Sequence, residues 1–124
     1  MTLDRLLVSV IDDDESVRES LPDLLRELGF AARAFASAAE YLASDALDQT
    51  RCLILDISMP EMSGPQLHHE LLRRGIKIPV IFITAQVDQT VRSRLLAQGA
   101  VECLFKPFSE RELRSTLASA FRPD

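Results

Sequence analysis

The sequence predicts an α/β protein, a doubly wound five-stranded parallel sheet of order 2-1-3-4-5 with five helices covering its two faces. Three observations predict it. Short apolar runs alternate with amphipathic stretches along the whole chain, as repeated strand–helix units do. The best of those runs are continuously apolar, as strands buried on both faces must be. Four of the five runs end in polar residues (Asp12-Asp13, Asp56, Thr84 and Lys106), which places these at the carboxyl edge, where open sheets bind ligands.

Each element has a local reason. Leu6 to Ile11 reads as the first strand and runs into Asp12-Asp13-Asp14-Glu15. Asp14 caps a helix to about Leu28, with Val17, Leu21, Leu24, Leu25 and Leu28 at helical spacing and Gly29 as its stop. Pro22 lies inside it and lacks the N–H for the Arg18 carbonyl, so a kink or local weakening is expected. Ala31 to Phe35 is a second, less apolar strand, placed nearer an edge. Ser37-Ala38-Ala39-Glu40 has the capping-box pattern and opens a short helix to about Ser44. Cys52-Leu53-Ile54-Leu55-Asp56 is the third strand, followed by a loop from Met59 to Gly64. Pro65 suits a first helical turn, with Leu67, Leu71 and Leu72 as the buried face and Gly75 as the stop. Val80 to Ile83 is the fourth strand. Asp88 caps a helix to Gln98, with Val91, Leu95 and Leu96 inward. Val101 to Phe105 is the fifth strand, and Ser109-Glu110-Arg111-Glu112 is a second capping box, opening a helix striped by Leu113, Leu117 and Phe121.

Composition bounds the function. A chain of 124 residues suits a single domain over residues 1–124, large enough to bury a core without disulfides or a structural metal. A net charge of −5 argues against direct nucleic-acid binding. No stretch has the layout of a signal peptide or the length of a membrane span, so a cytoplasmic protein is expected. Cys52 and Cys103 fall in apolar strands about 10 Å apart, too far for a disulfide, and read as core residues. His68 and His69 are adjacent on a helix, diverge, and read as surface residues. Arg73-Arg74 reads as a solvated helix end.

The carboxyl edge constrains the chemistry. Carboxylates held close repel one another, and a divalent cation between them resolves the repulsion; oxygen ligands without His or Cys favour Mg²⁺, with Mn²⁺ as the alternative. Lys106 adds a compact cation and Thr84 a hydroxyl donor. Together these make a receptacle for a phosphoryl group, with Asp56 as the candidate acceptor.

These motifs resemble those of response-regulator receiver domains, similar to CheY and closest in flavour to the FixJ-type branch. The resemblance spans the chain and is carried by Val10-Ile11-Asp12-Asp13-Asp14, Leu55-Asp56-Ile57-Ser58-Met59-Pro60 with Met62-Ser63-Gly64, Ile83-Thr84-Ala85 and Lys106-Pro107-Phe108. It implies a flavodoxin/CheY-like three-layer sandwich and phosphorylation of Asp56 by a sensor histidine kinase or phosphotransfer protein. It also implies Mg²⁺ on Asp13, Asp56 and the Ser58 backbone carbonyl, with Asp12 helping through water. Thr84, Ala85 and Lys106 would bind the phosphoryl oxygens, and Lys106-Pro107 would be a cis peptide. The reporter surface would be the fourth helix, fifth strand and fifth helix, read by an output domain, an effector protein or a second copy in a phosphorylation-dependent homodimer. The implied switch residues are Thr84 and the position of Cys103, where the family places an aromatic. A thiol cannot make the family's ring movement, so Phe105 is the expected substitute reporter. Ser58 and Gln86 occupy the positions that tune phosphoryl lifetime.

Three rivals are weaker. A Mg²⁺-dependent aspartyl-phosphate phosphohydrolase would need a second acid beside its nucleophile, where Ile57-Ser58 stand, and a covering cap. A nucleotide- or flavin-binding module would need a Gly-rich loop where the acidic run stands. A non-phosphorylated interaction module has no use for an intact acidic edge.

Overall fold

The computed structural model describes residues 5–122. Its five strands are β1 (Leu7–Ile11), β2 (Ala31–Phe35), β3 (Thr50–Asp56), β4 (Val80–Thr84) and β5 (Glu102–Phe105). All neighbours pair in parallel, in the order β2-β1-β3-β4-β5. Five α-helices connect them: α1 (Glu15–Glu27), α2 (Ala38–Leu42), α3 (Gly64–Arg73), α4 (Gln89–Ala97) and α5 (Glu110–Ala120). The predicted order and element count are those observed, and β2 is an edge strand in which only Ala32 and Phe35 are fully buried.

Side chains along the central strands alternate between two cores. Leu53, Leu55, Phe82 and Cys103 pack with Tyr41, Leu67, Leu71 and Leu95 on the face carrying α2, α3 and α4. Cys52, Ile54, Ile81, Ile83 and Leu104 pack with Leu21, Leu25, Leu113 and Leu117 on the face carrying α1 and α5. Each fully buried Leu or Ile contributes about 1.5–3 kcal/mol through the area it removes from water. With one core on each face, the sheet is rigid up to its carboxyl edge.

α1 runs across Pro22, as expected, and Pro22 is itself buried. Several other local expectations are corrected. α2 ends at Leu42, short of Ser44, and a single 3-10 turn over Asp45–Asp48 leads into β3. The Ser37 hydroxyl caps α2 by accepting from the Glu40 N–H, but the Glu40 carboxylate accepts from Ala36, one residue before the position a capping box requires. Leu72 is 45% exposed, because the buried stripe of α3 is Gly64, Leu67, His68 and Leu71, and residue 72 lies about 100° further round the helix. His68 is therefore not a surface residue. Its ring packs edge-on against Phe82, with centroids 5.8 Å apart, and burial lowers its pKa and favours the neutral imidazole. His69 is exposed, as expected. Arg73 and Arg74 form a solvated helix end, as expected, and both also pair with Glu70, at 2.6 and 2.7 Å. α3 also opens on a full capping box, Ser63 with Gln66, where the sequence pattern predicts loop up to Gly64.

A buried hydroxyl chain explains the 3-10 turn. Thr50 Oγ1 donates to the Ala46 carbonyl at 2.7 Å and accepts from Tyr41 Oη at 3.0 Å. Its one proton is thereby used, so Ser9, 2.8 Å away, is the donor in their contact. Strands β1 and β3 and the segment between them are tied at one buried oxygen.

Candidate functional site

The site is made by strand ends. β1 ends at Ile11, and the chain turns at Asp12 before α1 begins. Asp12 is wholly buried, and each of its polar groups is held. Its N–H donates to the Phe35 carbonyl (3.1 Å), its carbonyl accepts from Arg18 Nη1 (3.0 Å), Oδ1 accepts from the Asp14 N–H (2.9 Å), and Oδ2 pairs with Lys106 Nζ (2.9 Å). Asp14 is the N-cap of α1, as expected; its carboxylate accepts from the Ser16 backbone and hydroxyl, which hold its pKa below the ordinary carboxylate range. Asp13 is left exposed at the mouth of the cleft.

Asp56 is the last residue of β3, only 6% exposed, flanked by β1 and β4. The loop beyond it turns back tightly, with the Gly64 N–H donating to the Ile57 carbonyl at 3.0 Å. A Cβ on Gly64 would overlap the Asp56 carbonyl oxygen, so only glycine allows α3 to start this close to the acceptor position. Thr84 ends β4 and is buried; its hydroxyl oxygen accepts from the Gln86 N–H at 3.1 Å, which leaves its proton free to be donated. Lys106 follows β5, and its peptide bond to Pro107 is cis, as the resemblance implied.

Charge is crowded at this edge. Ligand oxygens of Asp12, Asp13 and Asp56 lie within 4.8 Å of one another. Burial first, and then the Asp12 charge, push the Asp56 carboxyl up from 3.8 to about 7, against the pull of Lys106. Burial lowers the Lys106 pKa, but its bond to Asp12 and the Asp56 charge outweigh that, leaving it above the ordinary lysine value. The Lys106 ammonium is 2.9 Å from Asp12 and 3.8 Å from Asp56, so it is committed to Asp12. Three acids facing one committed ammonium need a further cation to ionise together. An all-oxygen donor set of this kind fits Mg²⁺, which would be held by Asp13 and Asp56, with Asp12 behind them.

Asp12, Asp13, Asp56, Ser58, Thr84, Ala85 and Lys106 all line one cleft of about 250 Å³, joined by Asp14 and Gln86. The seven residues expected at the phosphoryl and metal site are thus brought together. Cys103 is not among them. It lies in a separate hollow of about 70 Å³ with Ile57, Thr84, Gln86 and Val91. Phe105 is the β5 residue paired with Thr84 across the sheet, and is half-buried. The sequence reading missed Arg18 as a partner of the site. Its only signal there is a basic residue in the first turn of a helix that follows an acidic run.

The response regulator receiver domain family matches residues 8–118. The chain is 42% identical over 120 residues to nodulation protein W of Bradyrhizobium diazoefficiens, covering 97% of this chain and 53% of that protein. It is 39% identical to the transcriptional regulatory protein FixJ of Azorhizobium caulinodans, over 85% of this chain and 50% of the relative. The chain therefore spans about half the length of these relatives. Among solved structures, it superimposes on FixJ-N with a TM-score of 0.83 at 33% identity, covering 95% and 94% of the two chains. For the response regulator StyR the TM-score is 0.84 at 40% identity, covering 94% and 59%. From its fold, its acidic edge and these relatives, the chain belongs to the response regulator receiver domain family, the phosphoacceptor modules of two-component signalling.

Proposed function

We propose that Asp56 is the residue phosphorylated, with the phosphoryl group drawn from the phosphohistidine of a sensor kinase or phosphotransfer protein. The convergence of Asp12, Asp13, Asp56, Thr84 and Lys106 on one cleft carries this reading. A carboxylate oxygen of Asp56 attacks phosphorus, the P–N bond breaks, and the imidazole leaves with the bonding pair and takes a proton. Asp13, Asp56 and the Ser58 carbonyl would hold Mg²⁺, which would supply charge neutralisation for the transferring group. Lys106 gives up Asp12 for a phosphoryl oxygen, a short move because its ammonium already stands 3.8 Å from Asp56. The Thr84 hydroxyl and the Ala85 N–H donate to the remaining oxygens, and Ser58 and Gln86, at the cleft wall, set how readily water reaches the adduct. Incubation with a small phosphodonor and Mg²⁺ should add one labile phosphoryl mass to the wild type and none to Asp56→Asn, read by intact-mass spectrometry. A persistent adduct on the variant would refute the assignment.

In this reading the domain works in the cytoplasm, where its two buried thiols stay reduced, and the surface of α4, β5 and α5 reports the phosphorylated state. Its reader is an output domain, an effector protein or a second copy of the chain, and light scattering with and without phosphodonor tests the last. Phe105 reports Thr84 in place of an aromatic at Cys103, because it is Thr84's neighbour across the sheet. Structures with and without a phosphoryl mimic test this, and an unchanged Phe105 rotamer would exclude it.

A further inference from the structure

We infer that Arg18 is a positioning residue for the metal site, acting through the Asp12 carbonyl; the inference rests on the reading of Asp13 and Asp56 as metal ligands. Arg18 is half-buried in the first turn of α1, and its guanidinium donates to the backbone oxygen of Asp12 at 3.0 Å. That oxygen lies in the same rigid plane as the nitrogen and Cα of Asp13, because the peptide bond between them does not rotate freely. Gripping the carbonyl therefore fixes the N–Cα bond of Asp13, the axis from which its side chain leaves the backbone. The other side of the turn is equally constrained. The Asp12 N–H is bound to Phe35, and its carboxylate is shared between the Asp14 N–H and Lys106. Without Arg18, the Asp12–Asp13 peptide plane loses the hydrogen bond that its carbonyl accepts.

Charge alone argues against an arginine here. A guanidinium beside a cation site opposes cation binding by Coulomb repulsion, so a role through charge and a role through position predict opposite signs. α1 gives Arg18 a firm base: Leu21 and Leu25 bury its inner face, and the Arg18 N–H makes an early helical bond to the Asp14 carbonyl at 3.2 Å. The helix thus carries the orientation of its own core contacts back into the acidic turn. Outer partners that orient metal ligands in this way typically change metal affinity by about 10–100-fold when removed.

The test uses Mn²⁺ as a paramagnetic stand-in, titrated by electron spin resonance against wild type, Arg18→Met, Arg18→Lys and Asp13→Asn. Arg18→Met keeps the stem without donor or charge and should weaken Mn²⁺ binding roughly tenfold. Arg18→Lys restores a charge and a single donor, and its affinity should fall between wild type and Arg18→Met. In the metal-free protein, amide exchange at Asp14 should quicken in Arg18→Met while the core strands keep wild-type protection. Binding by Arg18→Met equal to or tighter than wild type would overturn the inference. Wild-type protein that binds Mn²⁺ no better than Asp13→Asn would instead overturn the metal-site reading on which it rests.

Discussion

Asp56 carries a cost of folding that its function explains. Its carboxyl titrates at about 7 in the folded protein against an ordinary 3.8, through burial and the Asp12 charge. A group whose pKa is raised by folding stabilises the folded state only while protonated. The full benefit holds below the unfolded value and disappears as pH rises through the folded one. In chelator, wild-type stability should therefore fall between about pH 4 and pH 7, with at most ~1.4 kcal/mol per pH unit from this group. Asp56→Asn removes that slope and should be the more stable protein at about pH 8, while saturating Mg²⁺ should close the gap from the wild-type side. Urea unfolding followed by circular dichroism measures both; a variant no more stable than wild type at the higher pH would contradict the account. The apolar run Cys52 to Leu55 alone marks Asp56 as a carboxylate at the end of a buried strand. The company it keeps was legible because strand ends in an open parallel sheet converge. The direction of the Asp12 carbonyl was not, because a backbone acceptor leaves no mark in the side-chain pattern.

The elements differ in how firmly their patterns specify them. β1, β3 and β4 are legible because burial on both faces leaves little choice of residue. Short of the polar ends Asp56 and Thr84, only Ser9 in β1 and Thr50-Arg51 at the start of β3 break the apolar pattern, and β3 accordingly begins two residues before Cys52. α3 was read with a stripe one position too far, and two residues show why. Leu72 is apolar but points out, while His68 is polar and turns in, its ring meeting Phe82 where a larger apolar residue would otherwise stand. The 3-10 turn before β3 had no periodicity to read. It exists because Thr50 Oγ1 gathers Ala46, Tyr41 and Ser9, contacts that only the folded topology assembles. Thr50→Val keeps the shape and removes the hydroxyl, leaving the buried Tyr41 and Ser9 groups without a partner. That should cost about 1–3 kcal/mol, and Tyr41→Phe in the same background should recover part of it, as a denaturation cycle would show. Full additivity of the two changes would mean that the chain is not a coupled unit.

At the scale of the molecule, a sheet with one core on each face has two ways to open. α4 is the lightly held helix. Leu95 is its only fully buried side chain, Val91 and Leu96 are half-buried, and the pair of Arg92 with Glu102 at 2.7 Å ties it to β5. The hollow of about 70 Å³ beside Val91 and Cys103 removes further packing from its inner side. The other face, under α1 and α5, has no such helix: Leu21, Leu25, Leu113 and Leu117 are all buried there. The two cysteines divide between these faces, Cys103 in the core beneath α4 and Cys52 in the core beneath α1 and α5. Burial raises both thiol pKa values, that of Cys52 to about 12, so neither supplies thiolate until its cover lifts. Alkylation by a thiol reagent should modify Cys103 first, at a rate set by excursions of α4, and Cys52 only on global unfolding; equal rates would show that the faces open together. Phosphorylation should change the Cys103 rate and leave that of Cys52 nearly constant. The chain thus contains its own pair of chemical clocks, one timing the excursions of α4 and the other, beneath α1 and α5, serving as its internal reference.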